Sequence, residues 1–117
     1  MATYLSIYID FLKATSQARE LENIADSMER CADKEFENSS RLRTMWKGSN
    51  ATQFCGKMDT SAESIKAVSS RLRQSASTVR EIATRTYNAE KTALDIARKR
   101  DYWLHYWQEL KEWVNLV

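Results

Sequence analysis

The chain is expected to be all-α: an antiparallel two-helix hairpin that forms a four-helix bundle on dimerisation, with an extended C-terminal helical tail. Three observations carry this expectation. The 117 residues include no proline and only two glycines, Gly48 and Gly56, whereas a β-rich domain of this length needs many turns, built largely from Gly, Pro and Asn. Apolar residues recur in alternating strides of four and three along most of the chain, the mark of helices packed along a stripe. That pattern breaks once, near Gly48.

The first helix is expected over about residues 3–45. Its stripe passes through Ile7, Phe11, Ala14, Ala18, Leu21, Ala25, Met28, Ala32, Glu35, Ser39, Leu42 and Trp46. The turn is placed at 46–49. Gly48 can adopt a left-handed backbone and close a helix, and Ser49 or Asn50 can cap the next one by accepting its free amide hydrogens. The second helix is expected from residue 50. Its frame runs through Phe54, Met58, Ser61, Ile65, Val68, Leu72, Ser75, Val79, Ile82, Thr86, Ala89, Ala93 and Ile96, then on through Arg100, Trp103, Trp107, Leu110, Val114 and Val117. Fifteen of those nineteen positions are apolar, against 43% of the whole chain, so the frame is read as a packing seam.

A short connection makes the helices antiparallel, so the numbers of facing residues should sum to about 95, placing Tyr4 near residue 91. The hairpin domain is thus 1–97, with helices over about 3–45 and 50–97. Residues 98–117 form an aromatic extension that either continues the second helix or breaks near 98–101 and folds back on Tyr4, Ile7, Tyr8 and Phe11. Apolar residues beside the stripe, Ala62, Ala76 and Ala83 in the second half and Ile24 and Cys31 in the first, are more than a two-helix contact covers. Association is therefore expected, through Leu21, Met28, Met58, Ile65, Val68, Leu72, Val79 and Ile82. In the tail, Trp103, Trp107, Leu110 and Trp113 are the expected partner contacts.

Charge and chemistry narrow the function. Residues 1–40 carry a net charge of −4 and residues 41–117 one of +6, so the two halves attract if they pack side by side. No nucleic-acid motif accompanies the bases, and no nucleic-acid partner is expected. Cys31 and Cys55 fall too far apart in the hairpin for a disulfide and are read as free thiols. They and the lone His105 do not make a metal site. No catalytic constellation, phosphate loop or cofactor site is present in the sequence, so the chain is not expected to be an enzyme and no cofactor is expected. No stretch approaches the ~20 apolar residues of a membrane span. The first twelve residues lack the basic start of a secretory signal, and Asp10 interrupts their apolar run. Arg98, Lys99 and Arg100 before the aromatic tail resemble the start of an interfacial helix, but Glu109 and Glu112 sit among the aromatics, so a protein partner is preferred to a membrane surface.

Trp46, Lys47 and Gly48 between two long helices, with Ala51 and Phe54 following, resemble the WXG family of small helical hairpins. These are exported by the type VII, early-secreted-antigen system. The resemblance covers about residues 5–95, with Trp46 and Gly48 matching the motif and Phe54 an aromatic position early in the second helix. It implies a dimer with itself or with a related hairpin. Its role would be that of a secreted protein, or of a carrier that escorts a larger toxin or effector to the secretion ATPase. Localisation would be cytoplasmic before export by that non-classical route. The family's export signal, a Tyr followed four residues later by an acid, is degenerate here: Tyr87 has Glu90 at three residues and Lys91 at four. That spacing implies dependence on a partner's signal. An intracellular structural coiled coil and a membrane-surface helical protein are the alternative readings.

Overall fold

The computed structural model describes residues 2–116; Met1 and Val117, the ends of the two segments anticipated above, lie outside the described residues. Among the described residues there are two helices, α1 Tyr4–Met45 and α2 Ser49–Leu116, and no strand. They divide into two compact units, one of Ala14–Arg80 and one of Met1–Lys13 with Glu81–Val117.

The unit Ala14–Arg80 contains the turn. At the end of α1 the Trp46 amide donates to the Leu42 carbonyl at 2.7 Å. The Lys47 ammonium donates to the Arg43 carbonyl at 2.9 Å, answering one of the carbonyls that a helix end leaves unpaired. Gly48 then reverses the chain at φ +117°, a conformation that strains any residue with a Cβ. The turn is one residue shorter than expected. α2 opens at Ser49, and Gly48, not Ser49 or Asn50, holds the flanking position: its carbonyl accepts the Thr52 amide at 3.1 Å.

The seam between the helices in this unit is built from small side chains at intervals of seven. On α1, Ala18, Ala25, Ala32 and Ser39 are fully buried; on α2, so are Cys55, Ala62, Ser69 and Ala76. Facing pairs match the expected antiparallel register, since the Ser69 hydroxyl reaches the Ala25 carbonyl at 3.0 Å and the Ser39 hydroxyl donates to the Cys55 carbonyl at 3.3 Å. The frame expected for α1 is the buried one. The frame expected for α2 is displaced by one residue at every second position, while Met58, Ile65, Leu72 and Val79 are half-buried as they stand. Ala62 and Ala76, expected to flank the seam, form it, and Val68 lies outside it, 40% exposed. The physical reason is volume. Alanine and serine let two backbones approach to the short end of the usual interaxial range of ~8–10 Å, where valine or isoleucine would hold them apart.

In the other unit, Ile7 and Ala83 are buried. The Tyr87 ring packs between Phe11, at 5.3 Å centroid to centroid, and Tyr8, at 6.3 Å. The Tyr4 hydroxyl donates to Asp95, and the Arg98 guanidinium lies 5.1 Å above the Tyr4 ring. Tyr4 therefore engages one helical turn beyond the position expected, and pairing between the helices extends to Arg98. α2 passes through residues 98–101 without a break and ends at Leu116.

Candidate helix-pairing surface

The unit Ala14–Arg80 carries two unlike faces, and a regular rule in the sequence produces them. Three residues after every seam residue but Ala32 stands an apolar one: Leu21, Met28 and Leu42 on α1, and Met58, Ile65, Leu72 and Val79 on α2. Four residues after every seam residue but Ala32, which Phe36 follows, stands an ionic one: Glu22, Glu29 and Arg43 on α1, and Asp59, Lys66, Arg73 and Arg80 on α2. On a helix these positions lie about 60° to one side of the buried residue and about 40° to the other, so the two sets fall on opposite sides of the seam.

Ion pairs between the helices prove which sides adjoin. Arg80 Nε lies 2.8 Å from Glu22 Oε1, Arg73 bridges Glu29 and Asp26, Lys66 Nζ lies 3.0 Å from Asp33 Oδ1, and Arg43 Nη2 lies 2.7 Å from Asp59 Oδ2. The acidic first half and the basic second half attract as expected, and they do so along one edge. The hydrogen bond from Arg80 holds the Glu22 carboxyl below its usual range, and that from Arg73 does the same for Glu29, aided by Ser69. The same contacts push both guanidinium groups further from deprotonation. These groups are half exposed, so they fix the pairing of the edges more than they add to stability.

With the ionic sides joined, the apolar sides of α1 and α2 adjoin on the opposite face. Leu21, Met28, Met58, Ile65, Leu72 and Val79 are half-buried there. Residues that precede each buried position widen the face: Ile24 is 51% exposed and Phe54 49%. A shallow groove on α1 runs between Asn23, Ile24, Ser27, Met28 and Cys31. Glu35 is the exception, a carboxylate on the apolar side. At the turn, Trp46 leans on Phe54 with centroids 5.9 Å apart and keeps 43% of its surface exposed. It thus presents part of its ring to solvent beside Phe54. Cys55 is buried and Cys31 exposed, both as free thiols.

The unit Met1–Lys13 with Glu81–Val117 carries the remaining expected positions. Ile82 is exposed, as are Tyr102, Trp103, Tyr106, Trp107 and Trp113, and Leu110 is half-buried. Trp103 packs edge-on against Tyr102 and Tyr106 at 5.9 and 5.8 Å. Tyr and Trp are the residue types enriched among those that dominate the energetics of protein interfaces. Tyr87, considered as an export signal with Glu90, has its ring engaged with Tyr8 and Phe11, while Glu90 is exposed. His105 is exposed and lies 3.1 Å from Glu109. Among the described residues no cluster of His, Cys, Asp or Glu could hold a metal ion, and no helix is long and apolar enough to cross a membrane.

No family model, curated protein or solved structure matches the chain. The surface must therefore be read from its own chemistry. Sequence periodicity identified the apolar side chains of the open face and named them for association, but read the α2 set as the packing seam as well. The ionic edge escaped it. Its signal was present in the acids and bases standing four residues after the small heptad positions, and only becomes legible once those positions are known to be the seam.

Proposed function

We propose that this protein is a helix-pairing interaction module, which binds a second copy of itself or a related helical hairpin through the apolar face of Ala14–Arg80. One observation carries the reading: the ion pairs occupy one face of the unit and leave Leu21, Ile24, Met28, Ile65, Val68, Leu72 and Val79 together on the other. Half-exposed aliphatic side chains in heptad register are what a four-helix bundle buries. The turn residues Trp46, Gly48 and Phe54 resemble those of WXG hairpins. On that resemblance the module is a secreted protein or carrier that accompanies a larger toxin or effector through a type VII secretion system.

Two experiments separate these levels. Leu72→Asp and Ile65→Asp should abolish association while leaving the far-ultraviolet circular dichroism helical, because a partner would bury an unpaired charge. Export is tested by expressing the chain with and without an active type VII apparatus and assaying the culture medium. Secretion dependent on the apparatus and lost in the association-defective variants supports the carrier role. Retention in the cell with intact association leaves an intracellular coiled-coil module as the function.

A further inference from the structure

The open face of α2 alternates large and small residues. One stripe reads Phe54, Ser61, Val68, Ser75, Ile82 and Ala89 at intervals of seven. Beside it run Met58, Ile65, Leu72, Val79 and Thr86. A stripe of this kind can interlock with itself when reversed, each large side chain meeting a small one. We infer that the partner is a second copy of this chain, packed α2 against α2 in antiparallel fashion with Leu72 on the two-fold axis. This rests on the helix-pairing function proposed above and specifies the occupant.

The register follows from size. In an isologous antiparallel contact, residue numbers of facing positions have a constant sum, and a sum of about 143 to 144 satisfies both stripes. Val68 then meets Ser75 of the second copy, Ile65 meets Val79, and Leu72 meets itself. Carried outward along the same helix, Ser61 meets Ile82 and Phe54 meets Ala89. A shift of one heptad sets large against large, Val68 meeting Ile82 or itself, and a shift of two keeps the alternation but shortens the overlap or sets Phe54 against Trp103. The α1 face offers no such self-match, since Asp10 and Glu35 stand within its stripes. The register also has a cost. Arg71, two residues beyond the buried Ser69, flanks the axis and faces its own copy across it, with no acid in the adjoining stripe. Like charges repel less as salt rises, so this dimer should tighten with ionic strength, the reverse of one held by complementary charges.

The test uses the full chain with Cys31→Ser and Cys55→Ala, so that no native thiol remains. Leu72→Cys in that background should cross-link to a homodimer under mild oxidation, and a mixture of Val68→Cys and Ser75→Cys chains should yield the mixed dimer. Sedimentation of the wild type should show the dimer strengthened several-fold between low and high salt. Cross-linking of Leu21→Cys to Leu72→Cys, with Leu72→Cys alone unreactive, would overturn the register in favour of α1 on α2 while leaving the helix-pairing function intact. A wild-type chain that stays monomeric but co-purifies with a related hairpin would overturn self-pairing alone. A chain that binds neither would remove the proposed function as well.

Discussion

At the scale of single residues, the hairpin depends on what is small. Ala25 has no exposed surface and faces Ser69 across the seam. Ala25→Leu should therefore lower the melting temperature, by an amount corresponding to about 1–3 kcal/mol, because added methylenes in a packed contact force the backbones apart. Ile24→Ala, one residue away on the open face, should leave the melting temperature of the isolated chain nearly unchanged. Thermal unfolding of the two variants side by side checks the assignment of the seam. Gly48 makes a different test. Nothing lies within 4 Å of the position a Cβ would occupy, yet φ is +117°. Gly48→Ala should cost on the order of 1 kcal/mol or more through backbone strain alone, without loss of helix content.

At the scale of the elements, the two helices are joined along one edge by ion pairs, and in two of these the carboxylate, Glu22 or Glu29, has a depressed pKa. A depressed carboxylate contributes stability that is fully present above its ordinary value and lost as pH falls through the folded value. For Glu22 and Glu29 that ordinary value is 4.5. The melting temperature should therefore fall as pH drops below about 4.5, and the fall should be shallower in a Glu22→Gln, Glu29→Gln variant. The direction of that difference, read by calorimetry across the acid range, is what counts. α1 was legible in the sequence because its small and large apolar residues share one frame, so either criterion selects the same seam. α2 carries two adjacent frames, and counting by hydrophobicity selects Val68 and Ile82 over Ser69 and Ala83. Close approach selects by volume instead, and the smaller residues win. Opposite charge on the two halves was visible as a net attraction, but which side it would occupy depended on the seam and could not be read before it. The tail was legible as aromatic and exposed. Its continuity with α2 follows from the absence of any Gly or Pro after Gly56, together with pairing that reaches Arg98 through Tyr4. Truncation after residue 99 should accordingly spare the hairpin's own melting curve, and also the dimer inferred above, in which α2 overlaps its copy only up to about residue 95. A truncated chain that loses stability but keeps its partner would give the tail a role within the fold instead.

At the scale of the whole molecule, the chain buries mainly alanine, serine and cysteine between its helices and leaves its larger aliphatic and aromatic side chains at or near the surface. Burying an alanine removes far less apolar surface from water than burying a leucine, so the internal seam supplies specificity of register more than free energy. On the proposed function the larger gain comes with association, and stability should then rise with protein concentration as it does in any system where a partner binds only the folded state. The most direct test is sedimentation equilibrium of the wild-type chain and of Leu72→Asp over the micromolar range. The wild type should sediment as a dimer whose melting temperature climbs with concentration, and Leu72→Asp as a helical monomer of lower, concentration-independent melting temperature. A wild-type chain that is monomeric throughout that range, with a high melting temperature unaffected by Leu72→Asp, would contradict the claim that the apolar face exists to pair with another helix.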